Sequence, residues 1–301
     1  MHATNARSWL AARATGLGIL ALLLAGAAQA NIYGTDDRRD IRPGDGLSGV
    51  GVIVCKNTTR RPTGVLIASP YLPRERNYDV ITSAAHVFIG PRGRLTDCEF
   101  RPQSKTGPGA RILYIESGSH TPYRDRDWHN DWAVAVLDRR LPDELDRIEP
   151  RVMDEDTAVE LRESGARFIL AGHNGERGPL QMSENCGPER KRSSHLNRFD
   201  PRVLNHDCDM MPGWSGGPLI LQEDGINYMI AINSQASNAI AHTSGRAYSG
   251  SLNPNVAIRV DGQFKRAIDR LLRAGTTGVT AKCLVASKGD LPALPCQSDS
   301  R

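Results

Sequence analysis

A serine set among glycines is the feature of this sequence best suited to chemistry. Residues 213–219 (GWSGGPL) surround Ser215 with three glycines directly before an apolar run. Glycine accepts positive φ, so this segment predicts a tight turn that enters a strand. Glycines also leave successive backbone N–H groups free to converge on one small volume, as a developing oxyanion requires. The segment therefore predicts a nucleophilic Ser215, with the N–H groups of Gly213 and Ser215 as oxyanion donors.

A serine hydroxyl needs a base that takes its proton and a carboxylate that fixes the base. His86 is the candidate base, because it alone among the histidines after residue 30 directly follows a strand-like run through small residues (residues 80–86, VITSAAH). Asp131 is the candidate carboxylate, because it opens the apolar run of residues 131–137 (DWAVAVL). A partly buried acid needs a partner. Taken alone, an aspartate at this place fits the capping of a turn equally well.

Short apolar segments separated by turn residues make up most of the chain. Nine of them are β-rich and bounded by Gly, Pro, Asn and Asp, which predicts an all-β fold of barrels or a sandwich. Apolar residues at helical spacing over residues 261–274 predict one amphipathic helix docked on that fold, with Gly275 as its stop. The nine predicted strands are residues 49–55, 64–69, 78–83, 111–116, 132–137, 168–172, 218–221, 228–234 and 255–260.

The two ends and the middle of the chain differ from these β segments. Residues 1–30 combine basic residues, a short apolar run and a small-x-small site, which predicts a cleaved signal peptide. The apolar run is short for a membrane span, so no stable membrane insertion is expected after cleavage. Residues 141–152 are charged and contain prolines, and they are the candidate linker between two halves. Residues 261–301 form the helix and a polar tail.

The cysteines indicate the compartment of the protein, and the net charge limits its possible partners. An even number of cysteines after residue 30 predicts disulfides in a secreted or periplasmic protein. Fifteen connectivities exist for six cysteines. No C-x-x-C pair occurs, so zinc and thioredoxin-like chemistry are not expected. The sequence predicts no metal and no cofactor. The net charge of +4 falls to about +2 without the signal peptide, which gives no support for nucleic-acid binding. Nearest-neighbour pairing is the simplest expectation: Cys55–Cys98, Cys186–Cys208 and Cys283–Cys296.

Three segments together resemble a known family. Residues 82–86 (TSAAH), 131–133 (DWA) and 213–218 (GWSGGP) are similar, in order and rough spacing, to the three signatures of chymotrypsin/trypsin-like serine proteases. The resemblance covers about residues 49–260 and is to the secreted bacterial branch, similar to glutamyl endopeptidases. It implies two six-stranded antiparallel β-barrels, residues 31–140 and 153–260, with the C-terminal helix added.

The resemblance also implies an activity. An exported serine endopeptidase would use Ser215 to attack a peptide carbonyl, His86 as base and then acid, and Asp131 to orient His86. Its partner would be a polypeptide substrate, while the oligomeric state stays undetermined by the sequence.

Four positions bear on specificity and activation. Trp214 stands where animal-type members carry the acid that pairs with a new N-terminal amine, so activation of that kind is not expected. Asp209 occupies the position at which trypsin-like members select Lys or Arg, although bacterial relatives also use an aspartate there structurally, beside a disulfide. Ser234 is expected to pair with the substrate backbone. Asn233 stands where glutamyl endopeptidases carry a histidine, which weakens the prediction of a glutamate preference.

Two alternatives remain at this stage. The same fold without catalysis would be a binding module, which the intact His86, Asp131 and Ser215 disfavour. An esterase that uses Ser215 is the second, since G-x-S-x-G also marks α/β-hydrolases. That fold needs its histidine after the serine, and only His242 follows Ser215.

Overall fold

The computed structural model describes residues 31–70, 76–90, 93–103, 109–122, 128–175, 178–190, 200–236, 247–251, 253–276 and 280–282. The predicted signal peptide, His242 and the predicted Cys283–Cys296 pair lie outside these residues. The two α-helices of the described residues are α1 (Glu155–Glu163) and α2 (Gly262–Thr276). The strands are β1 (Arg39–Asp40), β2 (Val50–Cys55), β3 (Thr63–Ile67), β4 (Val80–Ser83), β5 (Ile89–Gly90), β6 (Gly93–Arg94), β7 (Cys98–Pro102), β8 (Ala110–Ser117), β9 (Ala133–Leu137), β10 (Glu149–Pro150), β11 (Arg167–His173), β12 (Leu180–Cys186), β13 (Pro188–Glu189), β14 (Val203–His206), β15 (Pro218–Glu223), β16 (Ile226–Ala236) and β17 (Asn255–Arg259).

The first sheet is a closed antiparallel barrel in the order β2, β3, β4, β9, β8, β7. Strands β3, β4 and β9 are buried along their whole length and are rich in the β-branched residues Val, Ile and Thr, which pack well on a pleated surface. Gly51 in β2 has no room for a side chain, because a Cβ there would lie 2.3 Å from the carbonyl oxygen of Arg101. A disulfide between Cys55 and Cys98 joins β2 to β7.

The second sheet runs in the order β1, β12, β11, β15, β16, β17, β14, β13. Strand β13 follows β12 after one residue, Gly187, and pairs with β14, so the sheet returns on itself. With β12 and β13 taken as one bent strand, six strands form this second barrel, and β1 and β10 are additions to it. A disulfide between Cys186 and Cys208 lies at the bend. The all-β fold class of two barrels with a C-terminal helix is confirmed.

Each of the nine predicted strands overlaps an observed strand. The longer elements β7, β12, β14 and α1 were not predicted, nor were the two-residue strands β1, β5, β6, β10 and β13. Helix α1 begins at a cap in which the side chain of Asp154 accepts the N–H of Thr157. Only Ala158 and Val159 are buried in α1, so its apolar periodicity is weak.

The predicted linker attaches to both sheets, whereas the segment before the first barrel attaches to the second sheet. In the predicted linker, the N–H of Ile148 donates to Leu66 of the first barrel, at 3.0 Å, and the N–H of Arg151 donates to Met229 of the second, at 2.9 Å. The linker therefore packs between the sheets. Residues 31–41 hydrogen-bond to the second sheet, with β1 paired to β12. This part of the predicted 31–140 unit thus lies outside the first barrel.

Helix α2 docks on the first barrel close to Asp131. The ring of Phe264 stacks on Trp132, with centroids 5.1 Å apart, and the hydroxyl of Tyr78 donates to the carbonyl of Leu271 at 2.8 Å. The helix continues through Gly275, so the prediction that Gly275 ends it was wrong. A Cβ at Gly275 would lie 3.2 Å from the Tyr78 ring, which indicates that close packing is the role of this glycine. No helix in the described part of the chain is long and apolar enough to span a membrane.

Candidate active site

The first barrel brings His86 and Asp131 together because they lie at the ends of paired strands. His86 lies in a single 3₁₀ turn (Ala85–Val87) just after β4, and Asp131 lies two residues before β9. Strands β4 and β9 are antiparallel, with Ser83 opposite Ala133. The end of β4 and the start of β9 therefore meet at one edge of the barrel.

Asp131 holds His86 through both carboxylate oxygens. Its Oδ1 accepts the backbone N–H of His86 at 2.8 Å, and its Oδ2 lies 2.6 Å from the ring Nδ1. The same Oδ2 accepts the hydroxyl of Ser234 at 2.6 Å. Asp131 is 2% exposed, so these partners satisfy a carboxylate that water does not reach. An ionised carboxylate only accepts, so this contact places the proton on Nδ1 and leaves Nε2 as the basic nitrogen.

The Ser215 turn of the second barrel is pressed against the end of β4. Gly213 and Gly216 have φ of +106° and +81°, which supports the prediction of a glycine-dependent turn. A Cβ at Gly216 would lie 2.0 Å from the hydroxyl of Ser83 and 2.8 Å from the backbone nitrogen of Ala84. These atoms immediately precede the turn of His86, so only glycine at position 216 lets the two barrels approach this closely.

Thr63 ties the two barrels together at this turn, and its role was not predicted. Its backbone N–H donates to the carbonyl of Ser215 at 3.0 Å, and its hydroxyl donates to the carbonyl of Gly213 at 2.7 Å. The hydroxyl also accepts the N–H of His173 at 2.8 Å. Thr63 is fully buried. A threonine at the start of a strand carries no distinctive sequence signal, which explains why it was missed.

The turn also presents two backbone donors. The N–H groups on either side of Ser215, those of Trp214 and Gly216, donate to Met211 and Asn233 at 3.1 and 2.7 Å. Neither the N–H of Gly213 nor that of Ser215 has an acceptor among the described residues. Backbone N–H groups that have no acceptor and lie next to a serine can stabilise an anionic oxygen.

His86, Gly213 and Ser215 line one cleft of about 850 Å³. The Ser215 hydroxyl is half-buried and lies 3.5 Å from the carbonyl oxygen of Ser234. Strand β16 has a bulge at Ser234, because Asn233 and Gln235 pair with β17 and Ser234 does not. Ser234 thus contacts both Asp131 and the Ser215 turn.

Asp209 is not part of this cleft. It is 3% exposed, and its carboxylate accepts the N–H groups of Tyr33 and Asp37 at 2.7 and 3.1 Å. Burial raises the pKa of Asp209 to about 6. These contacts fit the structural alternative that the sequence left open, since they hold the segment before β1 beside the Cys186–Cys208 disulfide.

Asn233 and His206 form a buried polar pair beneath the Ser215 turn. The Nε2 of His206 lies 3.1 Å from Oδ1 of Asn233, whose amide nitrogen donates to the carbonyl of Trp214 at 3.0 Å. Burial lowers the pKa of His206 to about 4. The side chain of Trp214 is fully buried and packs on Gly172. These residues support the turn from below.

Comparison with solved structures identifies the fold that carries this site. No protein-family model and no curated protein matches the sequence. Among solved structures, a Glu endopeptidase in complex with MPD is similar, with a TM-score of 0.59 and 14% identity over 80% of this chain and 99% of that one. The protease Anisep from Arthrobacter nicotinovorans is also similar, with a TM-score of 0.53 and 12% identity over 78% of this chain and 99% of that one. The chain therefore has the chymotrypsin-like two-barrel fold and is similar in fold to a Glu endopeptidase.

Proposed function

We propose that this protein is an exported serine endopeptidase whose catalytic residues are His86, Asp131 and Ser215. The observation that carries the proposal is the buried Asp131, which holds His86 through two contacts of 2.8 and 2.6 Å. His86 and Ser215 share one cleft, which supports a common role. The two similar structures reported above are a Glu endopeptidase and a protease, which supports the same reaction class.

Acylation follows from these roles. The Ser215 Oγ attacks the carbonyl carbon of a peptide bond while Nε2 of His86 takes the hydroxyl proton, and the carbonyl electrons move onto oxygen. The N–H groups of Gly213 and Ser215 stabilise that oxyanion; loss of one such donor typically costs roughly 10²–10³ in kcat. When the carbon–nitrogen bond breaks, His86 gives its proton to the leaving amine.

Deacylation repeats the same chemistry with water. His86 takes a proton from water, which attacks the acyl carbon, and the proton returns to Ser215 when the ester bond breaks. Ser215 Oγ lies 3.5 Å from the Ser234 carbonyl oxygen and must form its hydrogen bond with His86 before it attacks. Catalytic hydrogen bonds are often long without substrate and tighten in the complex.

Export is proposed from the signal-like residues 1–30 and from the cysteines. The described cysteines are all paired, as Cys55–Cys98 and Cys186–Cys208. Disulfides persist in oxidising compartments such as the periplasm and the extracellular space.

Hydrolysis of a mixed peptide library by residues 31–301, produced under oxidising conditions, tests the activity. We expect internal peptide bonds to be cleaved by the wild type and not by Ser215→Ala, with mass spectrometry as the readout. A folded wild type that cleaves esters and no peptide would contradict the proposal.

Two variants sharpen this experiment. His86→Ala should be as inactive as Ser215→Ala, whereas an esterase that used His242 as base would keep its activity in His86→Ala. Asp209→Ser tests the trypsin-like alternative, because cleavage after Lys or Arg that persists unchanged in this variant leaves Asp209 a structural role.

A further inference from the structure

The cleft that contains Ser215 is positively charged. Its described lining includes Arg60, Arg61 and Arg94 and neither aspartate nor glutamate. Asp131 is buried at 2% exposure and bonded to the catalytic histidine, so its charge does not face the cleft.

Arg61 is fixed beside the nucleophile turn. It lies between β2 and β3, and its carbonyl oxygen is 3.2 Å from the position that a Cβ on Gly213 would occupy. The guanidinium Nη1 donates to the carbonyls of Thr58 and Arg60, at 3.2 and 3.0 Å. Backbone acceptors thus orient this side chain and leave its charge uncompensated.

Arg94 is fixed on the hairpin that follows His86. It lies in β6 and pairs with Ile89 of β5, and Ile89 is the third residue after His86. Its Nη2 donates to the carbonyl of Ile115 at 2.9 Å, and the side chain is exposed. This arginine is therefore also held by a backbone acceptor.

Within the described parts of the chain, neither Arg61 nor Arg94 has a carboxylate within 4.0 Å. Arginines elsewhere on the first barrel do have such partners: Arg101 pairs with Glu99 at 2.8 Å, and Arg111 pairs with Asp138 at 3.3 Å. The guanidinium charges of Arg61 and Arg94 are therefore available to bind a ligand.

We propose that this cationic cleft, made by Arg61 and Arg94, selects polypeptides with aspartate or glutamate on the leaving-amine side of the cleaved bond. The inference rests on the proposed function and names the substrate class for the same site. The residues of β16, where Ser234 would hold the acyl part, are not among those that line this part of the cleft. The two arginines therefore contact residues beyond the scissile bond, and not the residue whose carbonyl is attacked.

Guanidinium chemistry fits such a ligand. Each guanidinium carries five N–H donors in a planar fork that matches a carboxylate, and the backbone carbonyls use only part of that set. An exposed charge pair changes affinity by up to about fivefold, so two pairs change it by up to about 25-fold, and a difference of about tenfold lies within that range. Salt screens charges of this kind, so the preference should weaken as ionic strength rises.

Binding to the inactive Ser215→Ala protein tests the inference without catalysis. Fluorescein-labelled peptides rich in glutamate and their glutamine isosteres would be compared by fluorescence anisotropy, at about 0.05 M and about 0.3 M salt. We expect about tenfold tighter binding of the glutamate peptide at low salt and a smaller difference at high salt. Equal affinity for the two peptides would overturn the inference.

Two further variants in the Ser215→Ala background identify the groups responsible. Arg61→Gln combined with Arg94→Gln should reduce the glutamate preference to about twofold or less. Arg42→Gln removes the same charge from an exposed side chain outside the cleft and should leave the preference unchanged. A preference that survives the double substitution would also overturn the inference.

The catalytically intact protein separates this inference from the proposed function. Its cleavage sites in a peptide library should be enriched in Asp and Glu on the leaving-amine side, and the double substitution should remove that enrichment. Cleavage without enrichment would overturn the inference alone. If the wild type cleaves no peptide, the proposed function fails, and the anisotropy comparison still decides whether the cleft prefers acidic polypeptides.

Discussion

Replacing Asp131 with asparagine separates the charge of this residue from its shape. In the wild type, Oδ1 accepts the backbone N–H of His86, and Oδ2 accepts from the ring Nδ1 and from the hydroxyl of Ser234. In Asp131→Asn, the amide oxygen can keep the backbone N–H, and the amide nitrogen then faces Nδ1. A donor in that position forces the ring proton onto Nε2. His86 can then no longer take the proton of Ser215.

The expected loss is large in activity and small in stability. A wrong tautomer should lower kcat/KM by about 10⁴, which is about 5.4 kcal/mol in the activation barrier. The asparagine amide has two N–H groups, one for Nδ1 and one for the oxygen of Ser234, so only the hydroxyl proton of Ser234 loses its acceptor. The free energy of unfolding should therefore fall by about 1–2 kcal/mol.

Steady-state hydrolysis of a peptide substrate and chemical denaturation would measure the two quantities. Ser234→Ala is the matched control, since it removes one hydrogen bond to Asp131 and leaves the tautomer of His86 unchanged; its kcat/KM should stay within about tenfold of the wild type. A loss below about tenfold in Asp131→Asn, or equal losses in both variants, would refute the reasoning.

Three further predictions concern stability. Thr63→Val leaves the carbonyl of Gly213 and the N–H of His173 without a partner, so it should lower the free energy of unfolding by about 2–4 kcal/mol. Thr63→Ser keeps the hydroxyl and should lose less than half as much in the same denaturation experiment, and equal losses would contradict a role for the hydroxyl.

Burial lowers the pKa of His206 from 6.5 to about 4, so the unfolded chain binds its proton first on acidification. The wild type should therefore lose about 3 kcal/mol of stability relative to His206→Gln as the pH falls from about 6.5 to about 4, whereas parallel curves would exclude a buried neutral ring. Burial raises the pKa of Asp209 from 3.8 to about 6, so this residue makes the protein less stable as the pH rises, which is the opposite of the effect of His206. Relative to Asp209→Asn, the wild type should lose about 3 kcal/mol as the pH rises from about 4 to about 6, and a constant difference between the two would contradict that shift.

The strands that could be predicted are those with continuous apolar, β-branched sequence. Strand β14 was missed because two of its four residues, Asn205 and His206, are polar yet fully buried. Helix α1 was missed because it buries only Ala158 and Val159, although the Asp154 cap and the acids after it were readable as a start signal. In each case tertiary contacts, which local pattern does not encode, determine the element.

The residues of the candidate site also divide into those that the sequence predicts and those that only the tertiary structure reveals. Ser215 and His86 lie in short motifs, so local residue types and spacing suffice to single them out as candidates. Thr63 acts on Gly213 across 150 positions of sequence, and only the docking of one barrel on the other brings the two together. The position of Asp209 before Ser215 suggested a specificity residue. Its contacts with Tyr33 and Asp37 depend on where the N-terminal segment packs, and the sequence gives no signal for that.

Covalent labelling with a fluorophosphonate tests the central claim most directly, since the reagent reacts with a serine only where a base and an oxyanion site activate it. Tandem mass spectrometry of the labelled protein identifies the modified residue. The account predicts one label, on Ser215, in the wild type, and none in Ser215→Ala or His86→Ala. A folded wild type that stays unlabelled, or a label on another residue, would contradict it.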